Sequence, residues 1–218
     1  VADTRVDARP QAEPARGAMV RAFVVLAITM VCAGIMSQCF TIALPKIFAA
    51  RMPEVTGGTA TGAGALVSAV YVAAMGAQLL GGHLADRYSL RATYALIYLV
   101  QLPLLVIAAG IGGWALFACA SAATLMHTLA VPVENSLLSR YSPGRWRATA
   151  FGAKFVLALG VASLGVPLVA YIYDATGDFY WLFMVLAALA GTIVLASLWL
   201  PRDEPHDAVA MTAPKAVT

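Results

Sequence analysis

Charged side chains are scarce in this sequence. Only 11% of its 218 residues are Asp, Glu, Lys or Arg, whereas 61% are apolar. Soluble domains contain about one quarter charged and about one half apolar residues. A chain of this length cannot hide so much apolar surface in one water-soluble core, so part of that surface is expected to face lipid. The bilayer is therefore the first partner that the sequence predicts.

The sequence also lacks the patterns of the common catalytic, metal and pore sites. Its three cysteines, Cys32, Cys39 and Cys119, lie inside apolar runs, with no C-x-x-C and no cluster of histidines. No H-E-x-x-H or G-x-S-x-G segment occurs, and neither does a T-V-G-Y-G filter or an Asn-Pro-Ala pair. The arginines are scattered, without the basic stripe that marks nucleic-acid binding. We expect no enzyme, catalytic residue, cofactor, metal or nucleic-acid partner.

What remains is a series of six apolar runs, each near the twenty residues that cross a hydrocarbon core. They are predicted at residues 22–44, 61–80, 92–111, 114–138, 148–173 and 179–200. Pro45 is expected to end the first run, and Pro132 is expected to kink the fourth.

We therefore predict an all-α membrane protein with one six-helix transmembrane domain over residues 21–201. Residues 1–20 are expected to be a polar tail or an interdomain linker, and residues 202–218 a disordered tail.

Arginine and lysine placement predicts the orientation of these helices. Eleven of these residues fall on the side that carries both tails, and only Lys46 and Arg51 fall on the other side. Because cytoplasmic loops carry the excess of Lys and Arg, both termini should be cytoplasmic. We expect a multi-pass protein of the plasma membrane, which in a bacterium is the inner membrane.

The segment between the second and third spans carries a recognisable motif. Residues 82–91 read Gly-His-Leu-Ala-Asp-Arg-Tyr-Ser-Leu-Arg, which resembles the G-x-L-x-D-R-x-G-R-[KR] loop of the major facilitator superfamily. The match departs at Ser89 and Leu90, where the family prefers Gly and Arg. Such weakened copies are typical of the second half of these transporters. The Gly- and Pro-containing fifth span, with Gly160, Gly165 and Pro167, likewise resembles helix eleven of the family.

The resemblance implies half of a twelve-helix transporter fold, built of two inverted three-helix repeats. It implies secondary active, proton-coupled transport of a small-molecule substrate by alternating access. The second six-helix half would come from the same chain, from a partner chain or from a homodimer. The alternative is a non-transporting membrane scaffold or chaperone that retains the fold, because six helices supply only one wall of the cavity.

The motif residues Gly82, Asp86, Arg87 and Arg91 are candidates for a cytoplasmic gating loop. A carboxylate at position 86 could accept N–H groups at a helix N-terminus and pair with arginine. The resemblance implies that this contact latches the cytoplasmic side and breaks when the halves rock. The competing interpretation is a solvated loop that only sets topology.

Two charges lie clearly inside the predicted spans. Glu134 is ten residues before Gly144 at the centre of a loop, and Lys154 is ten residues after it. Because these distances are equal along two antiparallel helices, we expect the two side chains to interact on the face toward the cavity. Three roles remain open: a structural ion pair, a lysine that snorkels to the interface, and substrate or proton coupling.

Other polar and small residues inside the spans are further candidates. His127 lies two turns before Glu134 and could relay protons, or it could bond a neighbouring helix. Gln38 and Gln78 could line a cavity or join helices by hydrogen bonds. The glycines of the second and fifth spans allow close helix packing, although glycine is common in membrane helices in any case.

Overall fold

The structure is a computed structural model and describes residues 16–200, apart from the side chains of residues 16, 18 and 19. In these residues all regular structure is helical. The helices are α1 (Arg16–Arg51), α2 (Pro53–Thr56), α3 (Ala60–Arg87), α4 (Leu90–Gly110), α5 (Gly113–Tyr141), α6 (Arg147–Ala162), α7 (Gly165–Thr176) and α8 (Tyr180–Leu198), with a short 3-10 turn at Gly144–Trp146.

Six segments of this fold are long and apolar enough to cross a bilayer, as the hydropathy of the sequence predicted. Five of them are formed by α1, α3, α4, α5 and α8, and the fifth in chain order is α6 and α7 together. The predicted six-helix membrane architecture is confirmed. The helix α1 begins inside the segment predicted to be a tail, whereas residues 1–15 and 201–218 lie outside the described residues.

One predicted helix end is wrong and one predicted span contains an interruption, and both features involve proline. The first helix does not stop at Pro45 but continues to Arg51. In lipid no water competes for the backbone, and membrane helices therefore tolerate a proline that a soluble helix would not. The fifth span is one segment, Gly144–Thr176, as predicted, but its α-helical hydrogen bonding is interrupted at Ser163–Leu164 between α6 and α7, where the backbone stays in the right-handed helical region. Pro167 has no N–H to donate to the carbonyl of Ser163, which accounts for the break there.

The helices surround α1, which packs against α3, α5, α6, α7 and α8. On the side away from α6 and α7, α4 fills the space between α5 and α8. The α3 span and the α6–α7 span are the least buried, with 22% and 17% of their most apolar segments buried against 39–44% in the other four. Two spans therefore keep most of their surface outside this bundle.

Arg51 fastens three helices at the end of the bundle that was predicted to face away from the cytoplasm. Its guanidinium Nη2 donates to Asp178 Oδ1 and Oδ2 at 2.6 and 2.8 Å, and Nε donates to Oδ1 at 3.1 Å. Its Nη1 donates to the carbonyl of Ala109 at 2.9 Å, near the C-terminus of α4. One side chain thus satisfies a terminal carbonyl of α4 and joins the end of α1 to the loop before α8.

This contact gives stability that depends on pH. The hydrogen bonds from Arg51 lower the pKa of Asp178 below its ordinary value of 3.8. A lowered folded-state pKa stabilises the fold above the unfolded pKa, and the gain is lost as pH falls through the folded value. We expect Asp178→Asn to lower the unfolding temperature in detergent near neutral pH and to lose that difference as pH falls through the lowered pKa of Asp178. The exposed Asp174→Asn is the control, and an Asp178→Asn effect that does not change with pH would contradict the interpretation.

Candidate functional site

A buried ion pair lies between α5 and α6. Lys154 Nζ is 2.7 Å from Glu134 Oε1, and the two side chains are only 9% and 7% exposed. Both residues come from apolar helices that leave the same turn in opposite directions, so their equal distances from Gly144 place them at one depth. Their burial differs from the expected position on a face toward a cavity. A charge at this depth is costly unless it is paired, and here each charge pairs with the other.

Two further polar groups complete the site, and the sequence did not single them out. Tyr94 of α4 donates its hydroxyl to Glu134 Oε2 at 2.7 Å, and Asn135 Oδ1 accepts from Lys154 Nζ at 2.6 Å. Each carboxylate oxygen therefore has its own partner, one cationic and one neutral. The site brings together α4, α5 and α6, and Tyr94 is fully buried.

Aromatic rings connect this site to His127 on α5. The ring of Tyr98 contacts the ring of Tyr94 at 5.1 Å and that of His127 at 6.3 Å between centroids. Phe40 of α1 lies 5.7 Å from the His127 ring on another side. Within residues 16–200 no hydrogen bond joins His127 to Glu134 or Lys154, and its Nδ1 is buried without a partner. A role for His127 in proton movement stays a prediction.

Comparison with known proteins identifies the family. The family model described as the Major Facilitator Superfamily matches residues 26–215 of this sequence. The chain belongs to this superfamily. No curated protein matches the sequence closely.

Two solved structures of a superfamily transporter have the same fold. The first is FucP in the outward conformation, with a TM-score of 0.74 and 18% identity over 86% of this chain. The second is a variant of FucP described as the E. coli fucose:proton symporter, with a TM-score of 0.71 and 17% identity over 84% of this chain. The match covers 44% and 43% of those two chains. This chain therefore spans less than half the length of the transporters that it resembles.

The motif residues Gly82, Asp86 and Arg87 lie in the last turns of α3, and Arg91 lies in the first turn of α4. The helix α3 includes Asp86 and ends at Arg87, and only Tyr88 and Ser89 separate it from α4. The side chains of Asp86 and Arg87 are exposed, and within residues 16–200 Asp86 has no hydrogen bond or ion pair. Arg91 Nη2 donates to the carbonyl of Leu198 at 2.5 Å, which fastens α4 to the end of α8.

The remaining predicted residues occupy different surroundings. A Cβ at Gly165 would lie 2.9 Å from Gln38 Cβ, so this glycine permits close packing of α7 on α1. A Cβ at Gly160 would meet nothing within 4 Å, and Gly82 is equally open. Pro167 is the third residue of α7, where a missing N–H costs nothing. Gln78 is exposed on α3.

Proposed function

We propose that this chain is one six-helix half of a secondary active transporter that moves a small solute by alternating access and couples it to protons. The observation that carries the proposal is the buried pair of Glu134 and Lys154 in a fold that matches less than half of a superfamily transporter. The description of one such neighbour as a proton symporter supports the choice of ion.

The ion pair has the chemistry of a coupling site. In the charged state, Lys154 and Tyr94 both hold the Glu134 carboxylate. When a proton neutralises Glu134, Lys154 loses its counter-charge and retains only the neutral oxygen of Asn135. Buried cations without a partner are costly, so protonation favours a different arrangement of α5 and α6. Two protonation states with two preferred helix arrangements are what proton-coupled alternating access requires.

The second half of the transporter would cover α3 and the α6–α7 span. These are the two least buried spans, and the exposed side chains on them include Val72, Met75, Leu79, Val156 and Leu159. The match covers only 44% of the first neighbour, so that transporter contains a further part of similar size. We propose that the partner is another six-helix half, whether from the same protein, a second chain or a second copy.

The exposed end of α3 would then contact that second half. Asp86 and Arg87 are available at the end that the arginine distribution assigns to the cytoplasm. With Gly82 and Arg91 they form the proposed cytoplasmic gating segment. The same distribution supports both termini in the cytoplasm, and we propose the bacterial inner membrane as the location.

The proposal is tested with the protein and its second half in proteoliposomes that contain the pH dye pyranine. A panel of sugars, amino acids and organic acids is added outside, and solute-driven proton entry is measured. We expect Glu134→Gln to abolish proton entry but to retain exchange of the same labelled solute, because exchange returns the carrier without net proton release. Glu54→Gln, at an exposed acid outside the spans, is the matched control. Proton-coupled uptake at the wild-type rate in Glu134→Gln would refute the coupling role.

A further inference from the structure

Uncharged polar side chains gather near the middle of the spans on α1 and α3. Ser37, Gln38 and Thr41 lie near the centre of the first span, and Tyr71 lies near the centre of α3. Ser37 and Thr41 are exposed, and Gln38 and Tyr71 are half-buried. Polar groups exposed at this depth are expected to face water or a solute, since lipid cannot satisfy them.

A hydrogen bond between α1 and α3 gives this group its geometry. Thr41 Oγ1 lies 3.2 Å from the hydroxyl of Tyr71. Thr41 donates its own proton to the carbonyl of Ser37 at 2.9 Å, so Tyr71 is the donor to Thr41. Both hydroxyl protons are therefore used, and the oxygens of Thr41 and Tyr71 retain lone pairs. This pair presents acceptors to a ligand that carries O–H or N–H donors.

Three neighbouring side chains have no partner at all within residues 16–200. They are the hydroxyl of Ser37 and the amides of Gln38 and Gln78, for which the structure shows no hydrogen bond. Gln78 lies two turns from Tyr71 on the same face of α3. An amide without a partner inside a membrane span is unusual, because it forgoes hydrogen bonds that water or a ligand would supply. Each amide offers both donors and an acceptor.

The break in the fifth span lies against the same group. Gly165, the first residue of α7, packs on the Cβ and Cγ atoms of Gln38, and the exposed Ser163 lies in the break two residues earlier. Interrupted membrane helices occur where the backbone lines a cavity, because freed backbone groups must meet something polar. The polar group thus extends over α1, α3 and the α6–α7 break.

We propose that this surface, formed by Ser37, Gln38, Thr41, Tyr71, Gln78 and Ser163, is this half's part of a binding site for an uncharged solute rich in hydroxyl or amide groups. The inference rests on the proposed transport function and deepens it. Within the described residues the surface contains no charged side chain. The charges of Glu134 and Lys154 are buried and compensate each other. An ionic solute would find no counter-charge here, whereas a neutral polar solute finds donors and acceptors.

Thiol labelling tests whether the surface faces water. Single cysteines are placed in a variant in which Cys32, Cys39 and Cys119 are Ala, and the protein with its second half is held in nanodiscs. We expect Gln78→Cys and Ser37→Cys to react with a charged methanethiosulfonate at least about tenfold faster than Leu79→Cys, because only a hydrated thiol ionises. Leu79 adjoins Gln78 and is 79% exposed on this half, in the apolar part of α3 that the second half would cover, so it controls for a thiol in apolar surroundings. Equal rates at Gln78 and Leu79 would overturn the proposal.

Ligand binding in the same nanodiscs tests the solute class. Mannitol, glucose and N-acetylglucosamine are compared with the charged gluconate, glucuronate and glucosamine by calorimetry. We expect at least one neutral compound to bind, and Gln38→Leu and Tyr71→Phe each to weaken it about tenfold, the effect of one lost hydrogen bond. Tyr173→Phe, at an exposed tyrosine of α7, should leave binding unchanged. Preference for a charged compound, absence of neutral binding, or indifference to both variants would overturn the inference.

The same measurement separates this inference from the coupling proposal. Glu134→Gln should retain binding of the neutral compound, because the ion pair is not part of the polar surface. Suppose that Glu134→Gln keeps wild-type proton-coupled uptake while binding of the neutral compound depends on Gln38 and Tyr71. The solute site is then supported and the coupling role of Glu134 is refuted. If binding requires Glu134 but not Gln38 or Tyr71, the solute site falls.

Discussion

Lys154→Met is expected to destabilise the six-helix domain by about 3–5 kcal/mol, since it leaves the Glu134 carboxylate buried without its cation. Glu134→Leu should cost a similar amount, because it leaves the Lys154 ammonium with only the Asn135 oxygen. The magnitude separates this interaction from an ordinary polar contact. Side-chain hydrogen bonds within membrane proteins average about 0.6 kcal/mol. Leaving one charge buried without its partner is therefore expected to cost more stability than losing any single hydrogen bond at this site.

The double variant Glu134→Leu/Lys154→Met distinguishes pairing from loss of volume. It removes both charges, so it should be several kcal/mol more stable than the sum of the single effects predicts. Equilibrium unfolding in mixed dodecyl maltoside and SDS micelles measures all four free energies. Additive effects of the two substitutions would show that the 2.7 Å contact contributes nothing to stability.

Tyr94→Phe completes this test by separating the neutral partner from the charged one. The hydroxyl of Tyr94 donates to a carboxylate, and hydrogen bonds to charged groups contribute about 1.5–3 kcal/mol to stability in proteins. We expect a loss within or below this range in the wild-type background and almost none beside Glu134→Leu, where the hydroxyl has already lost its acceptor. Unequal effects in the two backgrounds would assign the Tyr94 contribution to the carboxylate.

The ion pair and its neutral partners differ in how far sequence could predict them. Glu134 and Lys154 are the two charges inside otherwise apolar spans, and their spacing from Gly144 places them at one depth without knowledge of tertiary packing. Tyr94 is different because its contact depends on the rotation of α4 about its axis. Tyr94, Tyr98 and Gln101 recur at helical spacing on one face of α4, but that spacing does not tell which neighbouring helix the face meets or which group the Tyr94 hydroxyl contacts. The charge pair was predictable, whereas the hydroxyl that completes it was not.

Length and hydropathy predicted the number of spans because lipid imposes both on any helix that crosses it. They could not predict the break at Ser163–Leu164, since hydropathy averaged over a whole span does not register the local effect of Ser163, Gly165 and Pro167 on the helix. Pro167 was visible, but a proline produces either a bend or a break depending on its neighbours. Here Gly165 lets α7 press against Gln38, and that contact belongs to the tertiary structure.

Gly81→Ala is expected to destabilise the domain by about 1–3 kcal/mol, the range typical of an overpacked core. A Cβ at this position of α3 would lie 2.2 Å from the carbonyl oxygen of Leu129 and 2.8 Å from Pro132 Cγ. The nearest atom belongs to the backbone of α5, so no side-chain rotation relieves the clash and the two helices must separate. The intrinsic preference of helices for Ala over Gly, about 1 kcal/mol, opposes this effect and is the smaller of the two.

Gly76→Ala is the matched control on the same helix. A Cβ there would meet nothing within 4 Å, so this substitution should leave stability unchanged or raise it. Unfolding in the mixed micelles compares both variants with the wild-type chain. Adding Pro132→Ala to Gly81→Ala should not restore stability, because the closer obstacle is the Leu129 carbonyl rather than the proline ring. If Pro132→Ala restored stability, the clash with the Pro132 ring would be the limiting one. The carbonyl of Leu129 would then not be what sets the distance between α3 and α5.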